Sequence, residues 1–120
     1  MILPLDHPST ILIAGPSFSG KTEFTKRLLK HRNEMFSPPP DRVIWCYSHG
    51  QAAYHDMGDD IEFYEGLYDV DSLDTSYKTI IVYDDLADSD EAQKHISKVF
   101  TMKSHHRNLT AIFLTQNIMP

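Results

Sequence analysis

The stretch Gly15-Pro16-Ser17-Phe18-Ser19-Gly20-Lys21-Thr22 matches the pattern G-x-x-x-x-G-K-[ST] at every fixed position. No other feature narrows the fold so sharply. A triphosphate presents several charged oxygens, which are best met by donors pointing inward from a closely wrapped backbone. Glycine at positions 15 and 20 permits the wrapping. The loop's N–H groups then face the phosphates, and a helix opening near Lys21 adds the positive end of its dipole. Lys21 is the point charge expected to bridge the β- and γ-phosphates, and the Thr22 hydroxyl is expected to ligate Mg²⁺. Pro16, Ser17, Phe18 and Ser19 complete the loop. Such a cradle needs a buried strand before it and a helix after it. The apolar run Thr10-Ile11-Leu12-Ile13-Ala14 supplies the strand, and Phe24, Leu28 and Leu29, spaced among Lys26, Arg27, Lys30 and Arg32, supply an amphipathic helix to about Arg32.

At 120 residues the chain has room for one domain with one core. No run approaches the roughly 20 apolar residues of a membrane span, and Met1-Ile2-Leu3-Pro4-Leu5-Asp6 lacks the basic-then-apolar order of a targeting segment. The expectation is a soluble, intracellular protein. The single cysteine, Cys46, excludes an internal disulfide, and inside an apolar run it reads as a buried structural thiol. A net charge of −6 argues against coating nucleic acid through an overall positive field. Residues 51–90 carry 12 of the 17 acidic side chains against one basic, Lys78, whereas residues 1–50 carry six basic and four acidic. Any nucleic-acid contact must therefore be local.

Residues 1–9, with Pro4 and Pro8, read as a lead-in to the first strand. Ser37-Pro38-Pro39-Pro40-Asp41 breaks the chain after the helix, and Arg42-Val43-Ile44-Trp45-Cys46-Tyr47 reads as a second strand. Strand, helix and strand at this spacing make a βαβ unit. Such units build parallel sheets whose ligands sit at the carboxyl ends of the strands. From residue 48 to 76 the pattern weakens, with a short strand at Ile61-Glu62-Phe63-Tyr64. Trp45, Tyr47, Tyr54, Tyr64 and Tyr68 are candidates for an adenine-stacking face, against the commoner role of core and turn packing.

Thr79-Ile80-Ile81-Val82-Tyr83-Asp84-Asp85-Leu86 is a continuous apolar strand that ends in two carboxylates. In a parallel sheet its carboxyl end lies beside the cradle, so Asp84 can hold Mg²⁺ or its water from the side opposite Thr22. Asp85, pointing elsewhere, is placed to polarise the attacking water as general base. Asp88-Ser89-Asp90-Glu91 opens a helix through Ala92, Ile96, Val99 and Phe100, in which Lys94 and Lys98 share a face. Thr110-Ala111-Ile112-Phe113-Leu114-Thr115 is a last buried strand. It delivers Gln116 toward the nucleotide, where the amide can bond the γ-phosphate or orient the lytic water. Arg107, ahead of this strand, falls at the opposite end of the sheet. It can then serve only a neighbouring subunit's site, in trans, or form an ordinary ion pair. His105 and His106 project differently and make a poor metal pair, so no zinc is expected.

These motifs together resemble the FtsK/HerA superfamily of P-loop ATPases, and more narrowly the genome-packaging ATPases of poxvirus-like and adenovirus-like viruses and of related large DNA transposons. The resemblance is carried by Gly15 to Thr22, by Ile80 to Asp85, by Ser104-His105-His106-Arg107-Asn108-Leu109, and by Phe113-Leu114-Thr115-Gln116-Asn117. It implies a three-layer αβα P-loop NTPase fold with a mainly parallel sheet. It also implies a homo-oligomeric ring that hydrolyses ATP to move double-stranded DNA into a viral capsid through its portal component, in a host cell at the assembling virion. Gln116 would be the γ-phosphate sensor, and Asp85 stands where members often carry Glu. The family fold continues past the position of Pro120 with at least one more strand and helices, so residues 1–120 would be an incomplete P-loop domain. Two rival functions use the same cradle. A small nucleoside or nucleotide kinase would transfer phosphate to a small acceptor, and a nucleotide-gated assembly module would bind ATP without turnover.

Overall fold

In the computed structural model, which describes residues 5–15, 20–48, 57–86, 90–101 and 108–115, the apolar runs become the strands of one sheet. These strands are β2 (Ser9–Ala14), β4 (Arg42–Tyr47), β5 (Ile61–Glu65), β6 (Thr79–Asp84) and β7 (Leu109–Thr115). Every neighbouring pair is parallel, and the spatial order is β2-β7-β6-β4-β5. The three inner strands β4, β6 and β7 are buried almost throughout, as continuous apolar runs covered on both faces should be.

Alternation along the strands divides the core in two. Trp45, Ile80, Val82, Ile112 and Leu114 face one side, where Leu28 and Leu29 of helix α1 (Lys21–Lys30) cover them. Ile44, Cys46, Ile81, Tyr83, Ala111 and Phe113 face the other, beneath Val99 of helix α3 (Asp90–Thr101) and Val70 and Leu73 around a short 3-10 turn. The fold is therefore α/β with three layers, as expected. Cys46 is fully enclosed, and burial pushes its thiol up to about 12, so it stays protonated and structural.

Local departures have local causes. The helix expected to reach about Arg32 stops at Lys30. His31 leaves helical geometry, and a single turn, α2 (Arg32–Met35), follows. Arg32 folds back there and donates to the Leu29 carbonyl at 2.7 Å. The lead-in and the proline break also hold structure. β1 (Leu5–Asp6) pairs in parallel with β3 (Phe36–Ser37), which buries Phe36. Two-residue strands have no periodicity to read. The last helix begins at Asp90, and the capping residues expected ahead of it, Asp88 and Ser89, lie outside the described residues. Among the described residues no helix is long and apolar enough to cross a membrane.

Candidate functional site

β2 and β6 end on either side of β7. Leu114 of β7 is in register with Ile13 on one flank and with Asp84 on the other. The end of the cradle strand and the carboxylate therefore stand level, two strand spacings or about 10 Å apart. Asp84 follows Ile80 and Val82 in the alternation, which directs it to the α1 side of the sheet, and it is buried. Asp84 and α1 thus share one face at the carboxyl end.

Gly15 closes the strand, donating its N–H to the Thr115 carbonyl at 3.0 Å. Gly20 carries a left-handed backbone, φ 89° and ψ 9°, and its carbonyl accepts the first helical bond, from Phe24 N–H at 2.9 Å. A Cβ at Gly20 would meet no atom within 4 Å. Backbone conformation, not crowding, therefore calls for glycine. The N-cap residue of α1, Gly20, has no side chain to bond the first N–H groups of the helix, which point out of its N-terminus. The Lys21 ammonium donates to the Gly15 carbonyl at 3.0 Å, and the residue is 9% exposed, so the side chain folds back to the end of β2. Thr22 is partly buried in the same first turn.

Asp85 differs from its neighbour. It is exposed, its φ is +52°, and its N–H donates to the Leu114 carbonyl at 3.0 Å. The strand ends at Asp84 and the chain turns at Asp85, in a conformation that Asp tolerates better than most residues. The two carboxylates therefore sit in different settings, one enclosed and one facing solvent. Among the described residues no group of three or more His, Cys, Asp and Glu could hold a metal ion. A hydroxyl and one carboxylate on a single face is instead the donor set suited to Mg²⁺ held jointly with phosphate oxygens.

Gly15, Gly20, Lys21, Thr22, Asp84 and Asp85 are brought to one end of the sheet. Pro16, Ser17, Phe18, Ser19, Arg107 and Gln116 lie outside the described residues. Thr115, the residue before Gln116, ends β7 between the two halves of the site. The aromatic candidates separate. Trp45 and Tyr47 are core on the α1 side, Tyr64 and Tyr68 pair edge-on at 5.2 Å, and Tyr54 lies outside the described residues. Of the lysine pair on α3, Lys98 is held by Asp71.

Sequence reasoning missed two polar side-chain contacts. His7 is enclosed, with Nδ1 2.7 Å from Thr110 Oγ1 and Nε2 3.1 Å from Asn108 Oδ1, and so ties the lead-in to the start of β7. His95 Nε2 lies 2.9 Å from Tyr83 Oη, which ties α3 to the strand that carries Asp84. Burial lowers the His95 pKa, with Lys98 adding to the effect, and burial raises that of Tyr83. A polar residue within an amphipathic helix or beside a proline gives no sequence signal of its partner. Comparison of the chain with family models, with curated proteins and with solved structures yields no match.

Proposed function

We propose that the chain is a Mg²⁺-dependent ATPase domain whose hydrolysis drives translocation of double-stranded DNA in viral-type genome packaging. The observation that carries the ATPase part is the convergence at one end of the sheet. A helix N-terminus opened by a left-handed glycine, a buried lysine and a buried carboxylate all stand at that end, on the α1 face. The packaging role rests on the resemblance carried by the sequence motifs, and the ring and capsid partners follow from that role.

In this reading the N–H groups at the start of α1 bind phosphate oxygens, and Lys21 leaves the Gly15 carbonyl to bridge the β- and γ-phosphates. Thr22 and Asp84 would hold Mg²⁺, which would supply charge neutralisation on the transferred phosphoryl group. Asp85 takes the proton of the attacking water. Its exposed position suits a base that must meet solvent. Gln116 follows β7 directly and contacts the γ-phosphate, and Arg107 completes a neighbouring subunit's site.

The test is steady-state ATP hydrolysis with Mg²⁺, with and without duplex DNA, over a protein concentration series. Turnover that rises with DNA and steeply with concentration is the expected result. ATP binding without turnover under every condition would favour the assembly module, and phosphate transfer to a nucleoside without DNA dependence would favour a kinase. Lys21→Ala should lower turnover by about 10²-fold or more. Asp85→Asn should keep ATP binding and stop hydrolysis, and normal hydrolysis by this variant would remove Asp85 from the role of base.

A further inference from the structure

We propose that the groove between α1 and residues 57–61 is a docking site for the phosphate backbone of double-stranded DNA. This proposal rests on the DNA-translocation reading for its choice of polyanion. The groove encloses about 410 Å³ and is lined by Lys26, Arg27, Lys30 and Arg32, with Glu23 and Asp60 as its acidic members. Its cations are four of the chain's 11 lysines and arginines, within seven residues of a protein of net charge −6. The charge is therefore local, as DNA binding by an acidic protein requires. Most of the other described cations are engaged elsewhere. Lys21 bonds Gly15, Arg42 pairs with Glu62, Lys78 with Asp41 and Lys98 with Asp71.

The depth of the charges adds a second argument. Lys26 pairs with Glu23 at 3.1 Å, yet the lysine side chain is 14% exposed and the glutamate 70%. Arg32 pairs with Asp60 in the same sense, 20% against 64%. The cations are recessed in the wall and their carboxylates stand at the rim. Solvent at the carboxylate end screens each pair in part. A phosphodiester reaching the wall would compete with the rim carboxylates for these cations, while Arg27 and Lys30, exposed on adjoining turns, add two further contacts. The same helix begins at Lys21, so one rigid rod of about 15 Å joins the nucleotide site to the groove.

The experiment is fluorescence anisotropy of a labelled 30-base-pair duplex, at several salt concentrations, with binding of a fluorescent ATP analogue measured on the same samples. Arg27→Glu/Lys30→Glu should weaken duplex binding by about tenfold or more and reduce the slope of log K against log salt by about 2. Arg27→Gln/Lys30→Gln, a milder pair that keeps the helix, should do the same in smaller measure. Asp60→Asn, which removes a rim carboxylate, should tighten binding severalfold. Unchanged duplex affinity in both double variants, or no tightening in Asp60→Asn, would overturn the proposal. So would poly-glutamate competing as well as the duplex, since the groove would then belong to an acidic protein. ATP-analogue binding without any duplex binding would overturn the groove and leave the ATPase standing. Duplex binding that depends on Arg27 and Lys30, with no binding of the analogue, would support the groove and remove the motor.

Discussion

The two helical layers cover the same strands but are built for different ends. α1 buries Lys21 and Thr25 beside Leu28 and Leu29, and its first turn faces the ends of β2 and β6. α3 buries Ala92 and Val99 and reaches the sheet through aromatic contacts. Tyr83 stacks on Phe113 with centroids 4.7 Å apart, and Phe113 on Phe100 at 5.3 Å. The α1 layer places polar groups where chemistry is proposed, and the α3 layer fixes the strands that carry them. Stability and ligand binding should therefore be separable by face.

The largest effect expected is on the α3 side. Phe113→Ala removes the middle ring of the stack and should cost about 3–5 kcal/mol in denaturant unfolding, while the folded fraction keeps its ATP affinity. Equal loss of affinity per folded molecule would mean that the two faces are not independent. On the α1 side, Gly20→Ala meets no steric obstacle but forces a Cβ into left-handed backbone, a strain of about 1–2 kcal/mol. Its thermal shift should be modest and its ATP affinity lowered by a larger factor, measured by titration of an ATP analogue. The smallest effect is a pH dependence. Burial holds the folded-state pKa of His95 below the ordinary 6.5. The unfolded chain therefore binds a proton that the folded one resists, and stability should decline as pH falls through about 6.5 toward the folded value. His95→Gln should flatten that decline in a melting-temperature series, and a decline of the same size in the variant would assign it to another group.

Much of this was legible because continuous burial leaves a continuous apolar record. Arg42–Tyr47 coincides with its expected strand, Thr79–Asp84 falls within an expected stretch that ran on to Leu86, and the cradle's demand for a strand and a helix fixed what surrounds it. The hidden parts depend on pairing. Phe36 joins the α1-side core and pairs with Leu5, 31 residues earlier, and His7 finds partners 101 and 103 residues away. Asp84 and Asp85 look alike as letters. They part because one completes a strand and the other begins a turn, which only the ladder with Leu114 decides. The recessed position of Lys26 and Arg32 was equally silent, since local sequence gives charge but not depth.

The position of β7 carries a consequence for how the molecule comes into being. The two halves of the site, 62 residues apart at Thr22 and Asp84, are joined within the sheet through a strand that leaves the ribosome after both. Until Leu109–Thr115 slots between β2 and β6, the cradle strand has no partner in the five-stranded sheet. Such long-range insertion is slow compared with local helix formation. A nascent chain should therefore gain affinity for ATP late and abruptly, and nucleotide binding would then report that synthesis has passed Thr115 at the end of β7.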